Sequence, residues 1–553
     1  MQNLFGTDGI RGLVEISGIE DLDCLHAFSN ERKVTPGLMR LVGESLGHCI
    51  NLFSKTSETV VIGWDERPNN ATLACHLTLG LKSVGIKVIH IGICATPLLH
   101  YSTLKLGCAA GCMITASHNP VSDSGVKIFD ENGYKTFPQI EETLTQTVFG
   151  LANEERSIDA THKEEMMIPD MDYSGNDIEH SWATETHQEW LKKRLTDFEI
   201  HYGSIISNLQ GDGLVADPLL LDSSKGSAHY WLSQFLEKRG VRNHEISTFA
   251  NAMNENCGAG ELSPNDSWTW EEVENSQHSL VRLLDKAPPG IVLAAALDGD
   301  GDRCLLLKST DVGVKVVDGD EMADVILRSM ATKTNHLHVA ASIESELSLL
   351  TNLERLNCTH LADETAVGDR WLAFALGMKN DGGLLTSDIP PMLIGVEDSG
   401  HLVLPSPHPS QENTFSLVGD GAASLVAYLS ALAQPSTFPV LERGYKNRKS
   451  VKGVDRSKWD GLNELSDEVE VLLKQYLEQN FNVENWVRDR VEGEKNLMRI
   501  KAKINSRDIS IGIRNSGTQE KISISVRMDS YHKSDIIDSL INEVSKLLEL
   551  RMS

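Results

Sequence analysis

The sequence predicts an α/β protein made of several sheets flanked by helices, and three observations carry that prediction. From Thr59 the text alternates in a βα rhythm. Thr59–Gly63 reads as a strand, Ala71–Val84 has helical apolar spacing, and Lys87–Gly92 is a second strand. A short helix over Tyr101–Leu106 and a small, apolar strand over Ala109–Ile114 complete the run. Further on, the apolar strand Ile291–Leu297 runs straight into an acidic loop. Finally, 553 residues suffice for roughly three to five domains at ~100–200 residues each.

Composition narrows the class. Hydrophobic residues make up 40% and charged residues 24%, values that allow ordinary globular cores. A formal net charge of −28 argues against a nucleic-acid or anionic-membrane partner, which would need a basic surface. A small anionic substrate stays open, because a few arginines in a cleft make a local positive field. Nine cysteines without a Cys-x-x-Cys pair point to reduced thiols, with neither a zinc site nor a disulfide framework. Met1–Gly6 lacks a basic-then-apolar signal pattern, and no apolar run reaches the ~18–20 residues that span a bilayer. A cytoplasmic protein is expected.

Residues 5–12, Phe-Gly-Thr-Asp-Gly-Ile-Arg-Gly, form a glycine-punctuated loop whose backbone can approach a ligand. Arg11 adds a fork-shaped cation suited to phosphate; alone, the stretch reads equally as a plain turn. The strand ending at Ile114 leads into Thr-Ala-Ser-His-Asn-Pro, residues 115–120. Asn119-Pro120 forces a turn there, because proline fixes its own φ and biases its predecessor away from the helix. Ser117 on such an exit presents its hydroxyl outward, beside His118 and with Lys127 close in sequence. A serine hydroxyl is a poor nucleophile alone, so chemistry needs charge-stabilising partners elsewhere. Without them this is an ordinary loop.

Residues 151–186 break the rhythm: the stretch is acidic, poor in aliphatic runs and turn-rich at Pro169 and Ser174-Gly175. It reads as a surface insertion or linker, partly mobile. A second α/β unit begins near His187, with a helix to about Leu195, a short strand Leu214–Ala216 ended by Asp217-Pro218, and a loop then helix over Ser224–Gly240. Asn254–Gly258 is a further loop, and this unit shows no catalytic cluster of its own.

Asp298-Gly-Asp-Gly-Asp-Arg303 follows the apolar strand. Three carboxylates at alternating positions converge only if the loop folds back, which glycine permits and a divalent cation makes tolerable. An EF-hand loop is excluded: its sixth position would be Arg303 rather than glycine, its twelfth Ser309 rather than glutamate. Oxygen donors without Cys or His favour Mg²⁺. A hairpin over Cys304–Val317, a helix after Asp320 and another opened by Val367-Gly-Asp-Arg370 come next.

After a strand near Met392–Ile394 comes Gly-Val-Glu397-Asp-Ser399-Gly-His401. In extended geometry Glu397 and Ser399 project to one side and can grip neighbouring sugar hydroxyls, while His401 is suited to moving protons. A polar hairpin is the competing reading. The last stretch, from about Pro435, carries a helix over Leu465–Leu477, short strands and an amphipathic helix over Lys533–Leu550. Between them, Arg514-Asn-Ser516-Gly517-Thr518 offers several donors and no negative charge, the chemistry of a phosphate cradle. Alone it is also a polar turn.

Taken in order, Thr-Ala-Ser-His-Asn-Pro, Asp-Gly-Asp-Gly-Asp-Arg, Glu-x-Ser-Gly-His and Arg-x-Ser-Gly-Thr closely resemble the α-D-phosphohexomutase superfamily, from Phe5 to the last helix. Phe5–Gly12 and Val367–Arg370 look most like its phosphoglucosamine mutase branch. The resemblance implies three α/β/α sheet domains and a smaller C-terminal α+β domain around a central cleft. The expected division is 1–150 with the serine loop, 151–186 as the acidic linker, 187–290, 291–434 with the metal and sugar loops, and 435–553. It further implies that Ser117 carries the phosphoryl group, with Asp298, Asp300 and Asp302 holding one Mg²⁺ against it. Glu397 and Ser399 would bind sugar; Arg514, Ser516, Gly517 and Thr518 would bind the non-reacting phosphate. Arg11, His118, Lys127, Arg303 and His401 match positions that assist transfer or protons. A hexose bisphosphate activator, a monomer or homodimer, and a small phosphosugar as the partner complete the expectation.

Departures from that pattern bear on specificity. Asp398 stands where the branch usually has Gln, and Gln519-Glu520 follow Thr518 where Glu-Pro is common. Gly63-Trp-Asp-Glu-Arg67 keeps only part of a Gly-Arg-Asp-x-Arg pattern, and the 151–186 insertion is long. The leading reading is a mutase converting glucosamine 6-phosphate to the 1-phosphate. A broader phosphoglucomutase/phosphomannomutase is the runner-up, and a non-catalytic phosphosugar-binding homologue is opposed by the intact Ser117, three aspartates and Arg514.

Overall fold

Strands β1 (Ile10–Val14), β2 (Lys33–Val34), β3 (Thr59–Trp64), β4 (Lys87–Ile93), β5 (Ala110–Ile114) and β6 (Asp123–Phe129) form the first of four sheets, in the order β2-β1-β6-β5-β3-β4. The computed structural model describes residues 4–6, 8–16, 21–154, 176–378, 383–515, 521–530 and 535–553, with backbone only over 176–181. The β-branched run Thr59-Val-Val-Ile makes β3 a central strand, parallel to both β4 and β5 and buried from Val60 to Trp64. Helices Pro36–His48 and Asn70–Ser83 cover one face. They approach so closely that a Cβ on Gly43 would sit 2.1 Å from the Leu77 carbonyl oxygen and one on Gly80 2.0 Å from that of Arg40.

The second sheet comprises β7 (Val215–Asp222), β8 (Asn243–Glu245), β9 (Ser267–Thr269), β10 (Val292–Leu297), β11 (Cys304–Ser309) and β12 (Gly313–Val317), ordered β8-β7-β10-β11-β12-β9. The third comprises β13 (His336–Ser342), β14 (Thr359–Thr365), β15 (Leu385–Thr386), β16 (Leu393–Val396), β17 (Leu402–Pro407) and β18 (Thr414–Gly419), ordered β14-β13-β16-β17-β18-β15. These two sheets share one strand order. They also share one core, joined through helices Gly319–Met330 and Gly421–Leu432 and capped at their N-termini by Asp318 and Asp420. The first sheet keeps a core of its own.

β19 (Tyr445–Lys452), β20 (Val483–Asp489), β21 (Leu497–Ile504), β22 (Arg507–Asn515) and β23 (Lys521–Met528) make a fully antiparallel fourth sheet, ordered β19-β23-β22-β21-β20. Helices Glu464–Asn480 and Asp535–Met552 cover it around a separate core. Among the described residues no helix is long and apolar enough to cross a membrane.

Three expectations need correction. The strand before the acidic loop, β10, lies beside β7 in parallel, so the loop belongs to the second sheet and not to a unit beginning at 291. A parallel neighbour reached across some 70 residues leaves no local mark on the sequence. β7 itself does not stop at Asp217-Pro218 but continues to Asp222, with a register shift against β10 that accommodates the proline. And 176–186 is no linker: it opens the helix Asn176–Asp197, while residues 155–175 lie outside the described residues. On that helix Trp190 stacks on Tyr101 at 4.7 Å and fully buried Arg194 donates to Asp420 at 2.7 Å, tying the first sheet to the third.

Candidate active site

Ser117 sits just past the C-terminal end of β5, 1% exposed, with φ at +52°. A non-glycine residue holds that left-handed conformation only where its surroundings impose it. Here they do. Thr115 Oγ1 donates to Asp65 Oδ2 at 2.6 Å and accepts the Ser117 amide at 2.8 Å. Arg67, anchored by Asp65 at 3.1 Å, donates to the carbonyl oxygens of Ser117 (2.6 Å), Asn119 (2.9 Å) and Asp123 (3.0 Å). The Ser117 hydroxyl donates to Asp300 Oδ2 at 3.2 Å and accepts from Arg11 Nη2 at 3.1 Å.

Asp300 comes from the loop after β10. As the alternating glycines allow, Asp298, Asp300 and Asp302 fold inward, each offering an oxygen within 4.8 Å of the others, all three residues buried. Lys127, buried on β6, donates to Asp300 Oδ2 at 2.7 Å and Asp302 Oδ2 at 2.9 Å and lies 3.4 Å from Asp8. Lys135 adds a contact to Asp8 at 2.9 Å and to Asp369 at 3.0 Å. The Arg303 amide donates to Asp298 Oδ1 at 3.1 Å, and its guanidinium stands 3.9 Å from both Asp298 and Asp302.

The electrostatics are uneven. Burial, then Asp302 and Asp300, push the Asp298 carboxyl well above the usual range. Burial works against charge on Asp302 too, but Lys127, His401, Lys135 and Arg303 outweigh it and hold that carboxyl well below. Asp298 Oδ2, Asp300 Oδ1 and Asp302 Oδ1 are buried without a hydrogen-bond partner among the described residues. Three orphaned, converging oxygens, with no softer donor among them, fit a hard divalent cation.

His118 flanks the serine; Arg303, then burial and Arg11, pull its imidazole down to about 3. Glu397 and Ser399 lie past the end of β16, outside the strand. The Gly400 amide donates to the Glu397 carbonyl at 3.1 Å, closing a turn between the antiparallel strands β16 and β17. The competing hairpin reading is thus the structural one. Glu397 turns inward, accepting the Gly368 amide at 2.6 Å, while Ser399 stays half-exposed. His401 does join Glu397, at 3.6 Å, and stands 3.6 Å from Asp369 on its other side.

Arg514, at the end of β22, is already engaged: it donates to Glu494 Oε1 at 2.6 Å and Glu344 Oε1 at 2.9 Å. Ser516, Gly517 and Thr518, with Gln519 and Glu520, lie outside the described residues. Asp398 pairs with Lys446 on β19.

The site also draws in residues to which the sequence assigned no role. Asp8, Lys135 and Asp369 complete the charge cluster, and Thr96 Oγ1 donates to Asp300 Oδ2 at 2.6 Å. Asp65-x-Arg67 after a strand was a visible signal: it is the retained part of the Gly63–Arg67 pattern, and the part that grips the serine loop. Asn254, whose amide reaches the Ser117 carbonyl at 2.7 Å, had no such signal.

Residues 2–155 match the family described as phosphoglucomutase/phosphomannomutase, α/β/α domain I, and residues 318–445 match its α/β/α domain III. A phosphoglucosamine mutase of Rhodococcus erythropolis (strain PR4) is 28% identical over 436 residues, covering 78% of this chain and 80% of the relative. One from Levilactobacillus brevis is 27% identical over 433 residues, covering 77% and 78%. Among solved structures, a phosphoglucomutase/phosphomannomutase family protein from Burkholderia thailandensis superposes with a TM-score of 0.60 at 16% identity, covering 100% of this chain and 98% of its own. The Paramecium phosphoprotein parafusin, a phosphoglucomutase in its open form, gives 0.61 at 16% identity over 100% and 96%. Both structures are likenesses of fold.

Proposed function

Because the chain belongs to the phosphoglucomutase/phosphomannomutase family, we propose that it is a phosphosugar mutase, converting glucosamine 6-phosphate to glucosamine 1-phosphate through a phosphoserine and a sugar bisphosphate. The observation that carries this reading is the Ser117 hydroxyl held between Arg11 and Asp300, in front of three carboxylate oxygens without a hydrogen-bond partner among the described residues. Asp298, Asp300 and Asp302 would hold Mg²⁺, which neutralises charge on a transferring phosphoryl group.

The chain's own residues do the rest. Ser117 carries the phosphoryl group; a sugar hydroxyl attacks phosphorus, the new O–P bond forms, the Oγ–P bond breaks and the hydroxyl proton passes to a nearby base. Return of the other phosphate to Ser117 reverses these changes, so no phosphate is consumed. Such transfers depend mainly on position and charge neutralisation. Arg11 and Arg303 offer fork donors to the phosphoryl oxygens, His118 lines the loop, and Lys127 keeps the aspartates apart in charge. His401, 3.6 Å from both Glu397 and Asp369, would assist proton movement, and Glu397 and Ser399 would bind sugar hydroxyls. Arg514, Ser516, Gly517 and Thr518 would take the phosphate that is not reacting.

The test is direct. Mass spectrometry of purified protein should find a fraction ~80 Da heavier on the Ser117 peptide. Ser117→Ala should remove that species and nearly all turnover, and catalytic hexose bisphosphate should re-prime dephosphorylated wild type. A coupled assay with glucosamine 6-phosphate, glucose 1-phosphate and mannose 1-phosphate should favour the first. Wild-type turnover in Ser117→Ala would end this reading.

A further inference from the structure

The carbonyl oxygen of Ser117 accepts two hydrogen bonds, one from each side of the junction between the first two sheets. Arg67 Nη2, from the first, approaches at 2.6 Å; Asn254 Nδ2, from the second, at 2.7 Å. The same two side chains share the Asn119 carbonyl, at 2.9 Å and 3.1 Å. We infer that Asn254 is a positioning residue for Ser117: with Arg67 it clamps these carbonyls and thereby fixes the left-handed backbone that aims the serine hydroxyl. This rests on Ser117 being the reacting group.

The second unit builds Asn254 in place. Asp222, at the end of β7, accepts the amides of Ser224 at 2.9 Å and Gly258 at 2.7 Å, so one buried carboxylate organises both turns. Ser224 then donates its hydroxyl to Asn254 Oδ1 at 2.6 Å, and its carbonyl accepts the Asn254 amide at 3.1 Å. A hydroxyl bonded to Oδ1 directs the amide nitrogen toward the serine loop. Asn254 itself adopts φ +59° and is 8% exposed. On its other flank is Gly299, between the first two aspartates, where a Cβ would lie 2.9 Å from both amide atoms of Asn254. One side chain therefore touches the serine loop and fits against the acidic loop.

The geometry separates positioning from binding. Asn254, like Arg67, contacts backbone carbonyls of the serine loop, whereas Arg11 and Asp300 meet the hydroxyl. Losing its donor should misaim the hydroxyl without removing any group proposed to bind sugar or phosphate. Asn254→Asp keeps volume and the Ser224 bond but replaces the donor by an acceptor facing two carbonyls; Asn254→Ala simply removes it. Glu255→Ala, exposed in the same loop, is the control.

Kinetics, thermal melting and ³¹P NMR of the phosphorylated protein would be measured for all of these. Both Asn254 variants should lose about 10–100-fold in kcat with KM within about twofold of wild type. Their phosphoserine resonance should shift and their re-phosphorylation by hexose bisphosphate should slow in step, while Glu255→Ala matches wild type throughout. If folded Asn254→Asp turned over like wild type, or lost activity with an unmoved phosphoserine resonance, the inference would be overturned. An active wild type with indifferent Asn254 variants overturns this inference alone; a wild type without phosphate on Ser117 overturns the mutase reading as well.

Discussion

Where the first and second sheets meet, Asp298, Asp300 and Asp302 keep three buried oxygens without a hydrogen-bond partner among the described residues, although Lys127, Lys135, Arg11 and Arg303 crowd the same space. Where the third and fourth meet, the opposite holds. Glu344 accepts from both Arg514 and Arg448 at 2.9 Å, and Glu364 takes Arg499 and Arg527 at 2.5 Å each, so these arginines already have protein carboxylates as partners. Carboxylates with oxygens left over suit a cation that is added to the site. Arginines already paired suit an anion only if it displaces a glutamate; the half-exposed pairs of Glu344 are weak enough to exchange, whereas Arg499, Arg527 and Glu364 are buried together. One junction is preorganised for its ligand; the other is closed on itself.

The most severe way to break this comparison is Asp300→Ala. It removes the partner of Ser117, Lys127 and Thr96 together, and one of the three converging oxygens. Activity should fall by about 10²–10³-fold or more, with the fold retained by circular dichroism. EDTA treatment should cause a comparable loss that Mg²⁺ restores; turnover unaffected by EDTA would refute the cation site.

Arg514→Ala should raise KM by about 10–100-fold while kcat changes only a few-fold, because its proposed partner is a phosphate held in ground and transition states alike. An unchanged KM in steady-state assays would remove Arg514 from substrate binding. Glu344→Gln sharpens the point in the other direction. With the competing charge gone, KM should fall by about 2–5-fold, and inorganic phosphate should inhibit at lower concentration. A KM that rose instead would mean that Glu344 orients the arginine and does not compete for it.

The smallest effect concerns Asp320, a buried acid near the second junction. Its Oδ1 is buried without a hydrogen bond among the described residues, and burial, then Asp318, Asp398 and Glu346 against Lys446, push its carboxyl up to about 8. The folded state therefore keeps a proton that the unfolded chain releases near 3.8, and stability contributed by this group falls as pH rises from about 4 to 8. Asp320→Asn should raise the melting temperature by about 2–5 °C at pH 8 and leave it unchanged near pH 4. Equal shifts at both pH values would contradict that titration.

By itself the sequence determined the local chemistry: strands ending in turns, a serine on one exit, three aspartates spaced by glycines on another, and an amphipathic helix near the end of the chain. Periodicity, proline and glycine act within a few residues, so a linear reading captures them. Only the tertiary structure decided which exits face each other. Ser117 and Asp300 are 183 residues apart, and no local pattern joins them. Docking also moved the acidic loop into the second sheet, turned Glu397-Asp-Ser399 into a hairpin turn, and committed Arg514 to Glu344 and Glu494. It brought Asn254 from an unremarkable loop onto the Ser117 carbonyl. The physical reason is the same throughout: hydrogen bonds and ion pairs depend on distances of about 3–4 Å between side chains, and those distances are set by how sheets pack rather than by spacing along the chain.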